Sequence, residues 1–94
     1  MHVENLHGKV ISITIKDDSV SHDFINPEFK ELQGRTFVTG ITPKGQTDSG
    51  WTDNCPAGVA WDRVTDYVIF DSIESYIYAV KKSEIYEEQK EKED

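Results

Sequence analysis

Ninety-four residues allow one domain and one modest core, and only 36% of them are hydrophobic, although 11% are aromatic. No run reaches the roughly 18 apolar residues that a membrane-crossing helix needs. The formal net charge is −8 and the densest basic cluster is the pair Lys81–Lys82, which argues against direct nucleic-acid binding, since no group of Lys and Arg replaces counterions on phosphate.

Half of that charge sits on Glu84–Asp94, with six acidic and two basic residues. The expected organisation is a single domain over 1–86 with an acidic, frayed tail over 87–94. The lone cysteine, Cys55, forms no internal disulfide, and the polar opening MHVENLHGKV does not resemble a secretion signal. Both features lead us to expect a cytoplasmic protein.

In chain order, Val10–Ile15 alternates and is rich in β-branched residues. It predicts a strand with Ile11, Ile13 and Ile15 on a buried face and Val10, Ser12 and Thr14 on the other. A polar loop follows at Asp17-Asp18-Ser19. Asn26, Pro27 and Glu28 then read as N-cap, first helical position and dipole partner of a short helix over 27–33, docked by Phe29 and Leu32 and stopped by Gly34.

Arg35–Thr42 predicts a second strand, and Thr42-Pro43-Lys44-Gly45 suits a type I turn that returns Gln46–Trp51 as a weak hairpin arm. Val59-Ala60-Trp61 reads as a further short strand. Tyr67–Phe70 and Tyr76–Val80 are aromatic and β-branched, which favours two strands joined through Asp71–Ser75 with Tyr76 and Tyr78 sharing a face. A helix from Ser72 is the rival, because Ile73, Tyr76, Ile77 and Val80 also form an i, i+3, i+4, i+7 stripe. The fold expectation is mainly β with one short helix, as a small antiparallel roll or SH3-like barrel. The alternative is α+β, an antiparallel sheet with a C-terminal helix from about Ser72.

Catalytic signals are thin. Cys55 precedes Pro56 in a turn, and His2, His7 and His22 lie in polar surroundings without a spacing that marks a nucleophile and its base. One Cys provides no zinc pair, and Asp48 and Asp53 lack EF-hand spacing, so neither a metal nor a cofactor is expected. Arg63 between Asp62 and Asp66 reads as a surface ion pair. No enzyme activity is expected.

The irregular segment 43–58, PKGQTDSGWTDNCPAG, carries the clearest binding signal. Trp51 is a flat apolar wall among Asp53, Asn54 and Cys55, a combination that suits either a ligand site or a lid on the core. Trp51, Asp53, Asn54, Cys55, Tyr76 and Tyr78 are therefore the candidate binding residues, with a protein partner or small ligand and a homodimer as the expected associations. The expected function is a non-enzymatic binding or assembly module. The alternative is an acidic inhibitor of the immunity-protein kind, which blocks a basic enzyme by presenting carboxylates.

Overall fold

Strand β1 (Val10–Ile15) forms where the sequence is richest in β-branched residues, and it pairs on both sides. The computed structural model describes residues 5–17, 21–46 and 49–92. Along the chain β1 is followed by β2 (His22–Leu32), β3 (Arg35–Ile41), β4 (Pro56–Ala60), a single 3-10 turn (Trp61–Arg63), β5 (Val64–Phe70) and helix α1 (Ile73–Lys92). All neighbouring strands are antiparallel, in the order β4-β3-β2-β1-β5. The protein is thus mainly β, with one C-terminal helix.

The connection between β4 and β5 makes the sheet curl. In a flat five-stranded sheet the edge strands would lie about 19 Å apart at the usual strand spacing. Only Trp61–Arg63 separate them in the chain, and a 3-10 turn of that length rises about 6 Å. The two edges are therefore drawn toward each other in a roll. The Trp61 ring holds the closure, with its centroid 4.9 Å from that of Phe29 on β2 and 5.5 Å from that of Tyr67 on β5. Arg35 adds a two-point ion pair to Asp62, with Nη2–Oδ1 at 2.9 Å and Nε–Oδ2 at 3.3 Å. The hydrogen bond from this guanidinium holds the Asp62 carboxyl below the usual carboxylate range. The partner of Asp62 is thus Arg35, not the adjacent Arg63.

The interior of the roll is Ile11, Ile13, Phe24 and Val38, with Phe29, Val59, Trp61 and Val64 packed around them. The alternation expected for β1 holds, since Ile11, Ile13 and Ile15 are all buried. Each fully buried side chain of this size contributes about 1.5–3 kcal/mol. The opposite face of β1 is covered too at one end. Val10 is fully buried beside its cross-strand partner Phe70, and the Phe70 ring meets Tyr76 of α1 at 5.6 Å.

The helix expected over 27–33 is instead the second half of β2. Asn26 has a left-handed φ of 53°, and Asn26-Pro27 together oppose Gly40 where the β2–β3 register shifts. This is a β-bulge, the place inside a sheet that tolerates a residue without an N–H donor. A Cβ on Gly40 would lie 2.7 Å from Phe24 Cβ and 2.9 Å from the Ile25 carbonyl oxygen, so the bulge presses on β3 here. Asn26 Oδ1 accepts the Gly8 N–H at 2.6 Å and its own N–H donates to Lys9 O at 2.9 Å, which anchors the approach to β1. Gly34 ends no helix. With Gln33 it forms a two-residue hairpin turn in which both φ values are positive, 50° and 79°.

Two further expectations are corrected. Of the expected hairpin arm Gln46–Trp51, residues 47 and 48 lie outside the described residues and the others are not strand; the strand beside β3 is β4, starting at Pro56. Residues 76–80 are helical, as the rival reading had it. Ser72 Oγ accepts the Ser75 N–H at 3.0 Å as an N-cap, and Tyr76 N donates to Ser72 O at 3.2 Å in the first turn. Val59 and Ala60 belong to β4, whereas Trp61 starts the 3-10 turn.

Candidate functional site

The 42–55 connection is closed at its base by two backbone hydrogen bonds, from Thr42 N to Cys55 O at 2.9 Å and from Asn54 N to Thr42 O at 3.0 Å. Asp53 acts as an internal brace: Oδ1 accepts the Gly45 N–H at 3.0 Å and its own N–H donates to Gly50 O at 3.1 Å. Asn54 occupies a left-handed position, φ 60°, that its short polar side chain tolerates. Trp51 is 77% exposed and is no lid on the core. Asp48 lies outside the described residues, as do Asp18, Ser19 and His2.

Cys55 is exposed as well. The native protein is expected to take up one equivalent of an aromatic disulfide reagent per chain without denaturant. Absorbance of the released thiolate checks this. Uptake only after unfolding would place the thiol under cover.

The two tyrosines separate because they sit on a helix. Two positions correspond to about 200° around the axis, so they face opposite ways. Tyr78 is 70% exposed, whereas Tyr76 is the one buried side chain among the described residues of α1. Tyr76 reaches from α1 to β2 and donates its hydroxyl to Asp23 Oδ2 at 2.5 Å. Gln46 completes the cluster from the start of the 42–55 connection. Its Nε2 donates to the same Oδ2 at 3.0 Å, and its Oε1 accepts the Asp23 backbone N–H at 3.2 Å. Burial, and then the hydrogen bond to Asp23, push the Tyr76 phenol above the ordinary tyrosine value.

Asp23 is 6% exposed, and its second oxygen, Oδ1, is buried without a hydrogen-bond donor among the described residues. It lines an open groove of about 450 Å³ between α1 and the Lys44–Gln46 segment, and also a smaller cavity of about 200 Å³ on the side of Thr42 and Thr52. The structure therefore joins one predicted residue, Tyr76, to two that sequence reasoning passed over, Asp23 and Gln46. The available signal was slight: an acid beside the apolar pair Phe24-Ile25, legible only once 22–32 is read as a strand.

Among the described residues, no three His, Cys, Asp or Glu side chains stand close enough to hold a metal ion, and no helix is long and apolar enough to cross a membrane. Compared with protein-family models, with curated proteins and with solved structures, the chain matches none of them. Its functional reading rests on its own geometry.

Proposed function

We propose that this protein is a non-enzymatic binding or assembly module that engages another protein through β5 and α1. The observation behind this is the apolar surface those elements leave uncovered. Tyr67, Val68 and Ile69 are exposed on β5, which among the described residues ladders only to β1 and ends the sheet. Ile77, Tyr78, Ile85 and Tyr86 are exposed on α1. Scattered single apolar residues are ordinary on a surface, but an edge strand with consecutive exposed apolar side chains is a pairing site. Tyrosine suits such an interface because the ring is buried while the hydroxyl meets the wet rim.

The simplest partner is a second copy in a two-fold dimer, the commonest closed arrangement. Light scattering at micromolar concentration is expected to give twice the chain mass, and Val68→Lys with Tyr78→Glu is expected to return it to the monomer. A wild-type monomer that persists at high concentration removes self-association and leaves a different protein as the partner. Exposed Glu84, Glu87 and Glu88 support the second reading, an acidic inhibitor of a basic enzyme. A captured partner lost steeply between low and high salt favours that reading over an apolar interface.

A further inference from the structure

The β5 edge is open on the interior side of the roll. Tyr67 and Ile69 stand directly across from Ile13 and Ile11 and share their face. Ile11 and Ile13 are fully buried, yet Ile69 is 39% and Tyr67 52% exposed. Cover over the interior face therefore thins from β1 to β5, whose far side carries no ladder among the described residues. β4 reaches β5 through the Trp61–Arg63 turn, before the exposed run 65–69 begins.

A second β5 fits that edge by its own sequence. A two-fold axis normal to the sheet keeps both interior faces on one side, so in an antiparallel pair it passes through a residue and not between two. Centring on Asp66 sets two carboxylates directly opposite each other, which is destabilising. Centring on Tyr67 leaves Ile69 opposite Thr65, and centring on Ile69 leaves Tyr67 opposite Asp71. Centring on Val68 places each Tyr67 opposite the partner's Ile69, an aromatic–β-branched pair made twice. It also keeps the two Asp66 carboxylates four positions apart.

We propose that β5 pairs antiparallel with the β5 of a second copy, centred on Val68, so that each copy supplies Tyr67 and Ile69 to cover the open interior of the other. The new ladder also satisfies the outward N–H and C=O groups of the edge. This rests on the self-association put forward above and deepens it: the strand edge carries the pairing, and exposed Tyr78 of α1 lies outside it.

Cysteine cross-linking of the full chain in a Cys55→Ser background reads the register. In this pairing the two residues 68 stand about 4.5–5.5 Å apart at Cα, within disulfide range. The two residues 66 are offset by four positions along the strands, about 14 Å, which is too far. Both positions are exposed, so random collision favours neither. At equal micromolar concentration under mild oxidation, Val68→Cys is expected to form the intermolecular disulfide at least about tenfold faster than Asp66→Cys. Light scattering supplies the second arm. Val68→Lys is expected to weaken the dimer at least about tenfold, whereas Tyr78→Glu alone leaves it intact. Equal cross-linking at 66 and 68, a dimer that survives Val68→Lys, or one lost with Tyr78→Glu would each overturn this pairing while self-association stands. A wild-type chain that stays monomeric at high concentration overturns self-association itself, and the strand pairing with it.

Discussion

Ile13→Asp is expected to leave the chain unfolded in the absence of denaturant. Ile13 is 1% exposed within the Ile11–Ile13–Phe24–Val38 cluster, and burial of an unpaired carboxylate there costs several kcal/mol against a typical total of about 5–15 kcal/mol. His22 lies directly across the ladder from Ile13, whereas Ile11 faces Phe24 and Ile69. Ile11→Asp, with no polar neighbour in register, should therefore be at least as severe. Ser12→Ala, half-buried on the other face, is the control and is expected to stay within about 0.5 kcal/mol of the parent. Far-UV circular dichroism with a urea titration distinguishes these outcomes. A folded Ile11→Asp variant of near-parental stability would mean that the interior of the roll admits water.

The second large effect is expected at Tyr76. Tyr76→Phe removes the hydroxyl that donates to Asp23 Oδ2 and leaves a buried carboxylate with the Gln46 amide as its remaining side-chain donor. Hydrogen bonds to charged partners contribute about 1.5–3 kcal/mol, and that is the expected loss. Tyr76→Ala also deletes the ring that meets Phe70 edge-to-face, for a total of about 3–5 kcal/mol by analogy with other large aromatic truncations. Because helices gain most of their stability from tertiary packing, part of the helical circular dichroism signal should be lost with it. A double-mutant cycle of Tyr76→Phe with Asp23→Asn is expected to show coupling of about 1–3 kcal/mol. Additive effects would mean that the bond contributes little to holding α1.

The same contact sets an alkaline limit. The folded state raises the Tyr76 phenol above its ordinary value, so the folded protein holds this proton more tightly than the unfolded chain does. The resulting stabilisation is fully present below the unfolded tyrosine pKa of about 10 and is lost as pH rises from there through the folded value. Denaturation midpoints should fall above pH 10 in the parent, with a smaller fall in Tyr76→Phe.

Local pattern was a good guide where one interaction range decided the outcome. The period-2 run of Val10–Ile15 specified β1 and its buried face, because alternation and β-branching both favour a pleated, half-buried strand. The strand expected over Arg35–Thr42 is β3, and Tyr67–Phe70, legible from its aromatic and β-branched content, is the second half of β5. At 76–80 the aromatic and β-branched content favoured a strand, and Ser72 with the Ile73–Val80 stripe offered a helix as the rival, which the fold adopts as α1.

At Asn26-Pro27-Glu28 the local signal pointed the wrong way. An Asn that tolerates a left-handed φ and a Pro that lacks an N–H fit a helix start and a β-bulge alike. Only the ladders of β2 to β1 and β3 distinguish them, and at the bulge those partners lie beyond the one-turn range over which a helix start is read. The candidate site was hidden for the same reason. Asp23, Gln46 and Tyr76 stand 23, 30 and 53 positions apart pairwise, and none carries a motif. The amino-acid sequence by itself determined the strand-rich character, the acidic charge and the faces of β1. Tertiary structure alone decided that the start of α1 docks on the sheet through Tyr76, beside Phe70 and Asp23, because the energy that holds it there comes from burying Tyr76 and satisfying Asp23, a contact that exists only once β2, the 42–55 connection and α1 have met.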